Sequence, residues 1–219
     1  MAVTIALSSI VILMVIVGCL IFIKPQNAWV RFLLALYSYN LVSEIIMLII
    51  SRMGIQNHIV ANVHVLLFGV GMLIVLGSIW KRLLKNPFPK WMMLVISISF
   101  FVIWLVDGLI IHSFSTFNPF TQAFIFTVNL FIVIYLLNVM IFSMRSRLDS
   151  RVDMFLIFAF LMHCFGAIII DSFFNYYITL PDDVYLVTSY LGLVIGVVTN
   201  FLVLLAVRCL ILNKKRFSR

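Results

Sequence analysis

Four side chains able to exchange a proton or hold a cation, Glu44, His64, Asp107 and Asp171, fall inside long apolar runs rather than between them. In hydrocarbon an ionisable group is costly, so each one is a functional candidate by default. Placed on helices rising 1.5 Å per residue, all four come to lie roughly 6–9 Å below the helix ends on one side of a bundle. Four helices would thus deliver titratable groups to one layer. Three carboxylates and one histidine cannot share a low-dielectric pocket fully ionised without a proton or a cation. The pattern points to an electronegative cavity in the outer half of the bundle that takes protons, a metal ion or a small cationic molecule. If the occupant is a metal, these same four residues are the candidate ligands, since carboxylate and imidazole both suit zinc or manganese. The competing reading leaves each acid protonated against a Ser, Asn or Tyr of a neighbouring helix, or reaching out to the surface.

Helical spacing adds neighbours. Tyr37, Asn40 and Glu44 recur at i, i+3 and i+7 and share a face, His58 and Asn62 form a stripe adjacent to that of His64, and Trp104 precedes Asp107 by one turn. Tyr37, Asn40, Asn62 and Trp104 therefore complete the candidate ligand-binding set. His163 reads as a structural hydrogen-bonder, Asn129, Asn138 and Asn200 as links between helices, and Asp149 and Asp153 as parts of a solvated loop. Gly192 and Gly196 form a small-xxx-small pair suited to close helix packing. No Ser/His/Asp arrangement is legible, so no catalytic residue is assigned and catalysis is the least favoured class.

The elements that must position these residues follow from composition. Of 219 residues, 65% are hydrophobic and 10% charged, and the mean hydropathy is +1.25. A soluble domain carries roughly a quarter charged residues, so the solvent here is lipid. A span needs roughly 20 apolar residues. Apolar runs separated by polar breaks give seven, near 2–23, 28–50, 58–80, 91–112, 120–144, 153–175 and 184–211, which use up the chain as one all-α seven-transmembrane-helix domain over 1–219. Pro87, Pro89, Pro119 and Pro181 fall where helices end or begin. The first run lacks a basic leader and a small-residue cleavage site and is longer than a signal peptide's apolar core, so it is expected to be a retained span.

Cations set the orientation. Fourteen of the 15 Lys and Arg residues flank the odd-numbered connections or the C-terminus, and only Arg52 lies on the other side. The positive-inside rule then puts the N-terminus outside and the C-terminus in the cytoplasm. Trp29, Trp80 and Trp91 mark the inner interface, and Tyr176, Tyr177 and Tyr185 the outer. The net charge of +8 is spread between hydrophobic runs, which excludes a nucleic-acid footprint. Cys19, Cys164 and Cys209 are not placed for a loop disulfide.

Seven spans in this orientation resemble microbial rhodopsins, G-protein-coupled receptors and small 3+1+3 transporters, but the motifs of each fail. No lysine lies between Val184 and Leu212, so no retinal is expected. Span three ends Gly77-Ser78-Ile79-Trp80-Lys81-Arg82 and span seven has no proline, unlike the receptors. Pro25-Gln26 has no second copy, unlike the PQ-loop transporters, and span seven lacks the histidines of the zinc-dependent membrane hydrolases. Leu66-Leu67-Phe68-Gly69-Val70 can be set against Leu193-Val194-Ile195-Gly196-Val197, which leaves a 3+1+3 duplication open. Trp29-Val30-Arg31-Phe32 opening span two, an acid late in that span and the polar start Gln56-Asn57-His58 resemble small seven-span bacterial membrane proteins. That resemblance implies a multi-pass protein of the bacterial cytoplasmic membrane and no particular activity.

Three functions remain open. A transporter or channel-like protein for a small molecule or cation, with proton coupling as one form, suits the outer cavity best. A receptor or accessory subunit would need a partner in the membrane, either another protein or a second copy, and Lys214-Lys215-Arg216 could meet that partner or acidic lipid. A metal-dependent hydrolase is the third.

Overall fold

The computed structural model describes residues 2–23, 27–54, 58–113, 116–143, 148–171 and 182–217. Among them the chain is entirely helical. The order is α1 (Ala2–Phe22), α2 (Ala28–Arg52), α3 (His58–Leu84), α4 (Lys90–Val106), α5 (Pro119–Ser143), α6 (Leu148–Gly166) and α7 (Asp182–Phe217). Two of these widen into five-residue π turns at their ends, α4 over Asp107–Ile111 and α6 over Ala167–Asp171. Six helical stretches, Ala28–Arg52, His58–Leu84, Lys90–Ile111, Pro119–Phe142, Arg151–Ile170 and Leu186–Leu212, are long and apolar enough to cross a membrane, and α1 adds the shorter apolar stretch Leu7–Phe22. The helices lie where the apolar runs were expected, but α6 starts at Leu148, five residues before 153, and α7 runs to Phe217, six residues past 211.

Helices α1, α2, α3, α5, α6 and α7 close into a ring, each packed on the next and α7 back on α1, while α4 lies outside it against α3 and α5. Leu13, Ile16, Leu33, Met72, Leu76, Leu136, Phe160 and Val203 are among the buried apolar side chains inside. The outward faces carry Leu, Ile, Val and Phe in quantity, Leu94, Ile98, Phe131 and Phe142 among them. A water-soluble monomer rarely exposes so continuous an apolar surface. Close approaches at glycine fix the packing. A Cβ on Gly69 would lie 2.2 Å from Ile125 Cγ2, so α3 meets α5 at glycine, and a Cβ on Gly166 would lie 2.7 Å from Ile195 Cγ2, so α6 meets α7 the same way. The Gly192–Gly196 stripe does less than its spacing implies, because Gly192 makes ordinary contact with Ile170 and nothing lies within 4 Å of a Cβ at Gly196.

At one end of the bundle, here the basic end, α3 finishes with Lys85 in a left-handed conformation (φ 61°) ahead of Pro87 and Pro89. The other end carries Arg52 and the α4–α5 connection.

Candidate functional site

Packing contacts set the depth of each candidate residue. Leu36 of α2 seats on Gly71 of α3, with Leu36 Cδ1 2.7 Å from where a Cβ would be. Counting away from that contact along two antiparallel helices, Tyr37 lies level with Val70, and Glu44 level with Val63, next to His64. Across the ring, the Gly166–Ile195 contact makes His163 of α6 and Thr199 of α7 level to within a residue. Rings join the two sides. Tyr39 stacks on His64 at 5.6 Å, His64 on Phe68 at 5.5 Å, Phe68 meets His163 at 4.8 Å, and Phe126 meets His163 edge-on at 5.1 Å.

The helical ring carries buried polar atoms without partners. Among the described residues, Tyr37 Oη, His64 Nδ1, His163 Nε2, Thr199 Oγ1 and Asn129 Oδ1 are buried and make no hydrogen bond. Asn129 does join helices as its position suggested, since its Nδ2 donates to Gly69 O at 3.3 Å and to Ile125 O at 3.0 Å. Asn200 likewise ties α7 to α1, donating to Ser9 Oγ at 2.9 Å. Folded proteins leave few buried polar atoms unpaired, and those left mark places where something else supplies the partner. Asn40 is buried one turn from Tyr37. Glu44 is half-buried, and among the described residues no hydrogen bond or ion pair reaches it.

The other candidates belong elsewhere. Asp107, fully buried, accepts from His112 Nδ1 at 2.6 Å through Oδ1, and from Thr121 N at 2.7 Å and Thr121 Oγ1 at 2.6 Å through Oδ2. Thr121 sits in the first turn of α5, where the backbone N–H has no helical partner, and Pro119 at the helix start is already free of one. The carboxylate of one helix thus caps the next. The π turn makes this possible by setting His112 five residues on, with its backbone N–H on Asp107 O at 2.8 Å. Asn62 pins the same corner: its Nδ2 donates to Thr116 O at 2.8 Å, its Oδ1 accepts from Asn118 N at 3.0 Å, and its carbonyl accepts from Trp104 Nε1 at 3.1 Å. Asn62, Trp104 and Asp107 are therefore joined to one another through the α3–α4–α5 corner, while His64 joins the column. No hydrogen bond or ion pair links Asp107 to His64 among the described residues.

The Asp171 side chain lies outside the described residues, as do Tyr176, Tyr177 and the side chains of Tyr185, Lys214, Lys215 and Arg216. Among the described residues no three of His, Cys, Asp and Glu come close enough to share a metal ion.

One expectation is overturned. Asp153 is not part of a solvated loop: α6 begins five residues before it, and the side chain is buried at 3% exposure. It takes a two-pronged bond from Arg82 of α3, Nη2 to Oδ1 at 2.5 Å and Nε to Oδ1 and Oδ2 at 3.1 and 3.3 Å. The Arg82 guanidinium in turn lies 3.9 Å over the Trp29 ring of α2. Of the three tryptophans assigned to that interface, Trp80 stacks on Tyr135 at 4.8 Å and Trp91 is exposed.

Compared with protein-family models, curated proteins and solved structures, the chain matches none.

Proposed function

We propose that this chain is a seven-span protein of the bacterial cytoplasmic membrane, N-terminus outside and basic end in the cytoplasm, that binds a small polar or cationic solute inside its helical ring and carries it across. The observation that bears the reading is the set of buried, unpartnered polar atoms on α2, α3, α6 and α7: Tyr37 Oη, His64 Nδ1, His163 Nε2 and Thr199 Oγ1. A few convergent polar groups in an otherwise apolar interior are what a solute site consists of. Glu44, level with His64 and without a described partner, supplies negative charge on the approach from the outer end. Asp107 takes no direct part, since both its oxygens are bonded to the protein.

The reading is tested by reconstituting the protein in liposomes and following uptake of small amines and of neutral amino acids. Uptake above protein-free vesicles, reduced at least about tenfold in H64A and H163A, is the expected result, each lost hydrogen bond to a solute being worth roughly that factor. Uptake of no solute in the series, or uptake untouched by both substitutions, overturns it. A receptor would share the interior set and differ in its readout, binding the solute without moving it.

A further inference from the structure

Toward the basic end, one charged link among the described residues crosses the ring interior. Arg82 reaches from the last turn of α3 to Asp153 in the second turn of α6, two helices that are not neighbours in the ring but lie on either side of α5. Trp29, from the first turn of α2, covers the guanidinium. Three helices are thus joined at one point, by a two-pronged bond to an Asp153 only 3% exposed and an aromatic face over the cation, with Arg82 Nη1 left buried and without a hydrogen bond.

Stability is a poor explanation for such a link. The cost of removing two charges from water roughly cancels their attraction, so apolar side chains of the same volume would hold the helix ends together about as well. A charged pair differs from an apolar one in what happens when it separates. Water entering between α3 and α6 can hydrate both halves, whereas a parted apolar contact gains nothing. The pair is also asymmetric in exposure, because Arg82 keeps 25% of its side chain open while Asp153 keeps 4%. The arginine is therefore the half that can swing out, and Trp29 is the surface it would leave. At the opposite end of the bundle the charged group is arranged differently, with Asp107 bonded inside the α4–α5 corner and nothing tying α3 to α6 among the described residues.

We infer that Arg82, Asp153 and Trp29 form a gate that closes the ring interior toward the basic end, and that opening the interior to that side requires the pair to part. The inference gives the interior set of the proposed carrier its closed side, and it rests on that reading only for the purpose of opening. The test uses no solute, so its failure is separable from a failure of transport.

A cysteine is placed at Thr199, the residue of that set on α7, in a background with Cys19, Cys164 and Cys209 replaced, and its reaction with a small charged methanethiosulfonate is timed from each face of sealed vesicles. The face bearing the basic end is identified by protease access to a C-terminal tag. From that face the cysteine reacts slowly with the pair intact. D153N speeds the reaction about tenfold, the change in open population that about 1.4 kcal/mol of lost pairing produces, while the rate from the opposite face is unchanged. The exchanged pair R82D/D153R brings the rate back toward the parent. Should D153N not survive purification, R82K takes its place, keeping the charge and losing the second prong, with an increase of a few fold. An unchanged rate in D153N, an equal acceleration from both faces, or an exchanged pair as reactive as D153N each overturns the gate.

Discussion

Asp107 and Asp153 are both buried acids, both lie near the end of a helix, and both are bonded to a base, yet their bonds run in different directions. Asp107 spends three bonds within one corner, two of them on a single residue of the following helix. Asp153 takes a two-pronged bond from Arg82, some seventy positions earlier on a helix across the ring. The first arrangement completes backbone bonding that α5 lacks at its start, so removing it leaves N–H and hydroxyl donors with nothing to bind. The second joins two helices that are not neighbours in the ring. A buried carboxylate is thus not one kind of feature: its role follows from whether its partners belong to the same local structure or to elements that can move apart.

That contrast can be broken by substitution, with stability read from thermal or denaturant unfolding in detergent. The largest effect is expected at the corner, where D107A orphans the buried Thr121 N and Thr121 Oγ1 and costs about 3 kcal/mol. D153N comes next at about 2 kcal/mol, less than is usual for a broken buried pair because Arg82 is already part-exposed. T121V removes only the hydroxyl donor and keeps the N–H, costing about 1 kcal/mol, and combined with D107A it costs less than the sum because the two share one bond. Smallest is the apolar replacement of both gate residues, R82M/D153L, expected within about 1 kcal/mol of the parent. Its counterpart at the corner, D107L/H112L, should remain as destabilised as D107A, since α5 still lacks its cap. A large loss in R82M/D153L would make the pair a strut and erase the difference between the two acids.

The helical scaffold was legible in the sequence because apolar runs and polar breaks are long-wavelength signals. The shared face of Tyr37 and Asn40 was legible for a similar reason, periodicity alone sufficing. Three things were hidden. The start of α6 was hidden because Leu148-Asp149-Ser150-Arg151 is polar but helical, and hydropathy measures solvent preference rather than backbone conformation; Asp153 consequently looked like loop. The partner of Asp107 was hidden by the π turn, which brings position i+5 into reach where an ordinary helix would bring i+4. The azimuth of α4 was hidden because depth can be counted from a helix end but facing cannot, and a helix outside the ring turns its acid toward α5 and not toward the centre. His163 was undervalued on a related ground: one histidine in mid-helix carries no pattern, and only Phe68 between it and His64 shows the two belonging together. An Asp followed five residues later by His, with a Thr in the first turn of the next helix, was the one available signal for the corner.

The position of α4 has a consequence for how this sequence can drift. It touches the ring along one stripe, Met93, Ile96, Phe100 and Trp104, ending at Asp107, while Leu94, Val95, Ile98, Phe101 and Val102 face away. Along that outer side any greasy residue is as good as another, and generations of Leu, Ile, Val and Phe can trade places without the fold registering it. Along the inner stripe the letters are constrained one by one. A comparison of descendants would therefore show α4 as a helix of two tempos, fast on one side and nearly still on the other.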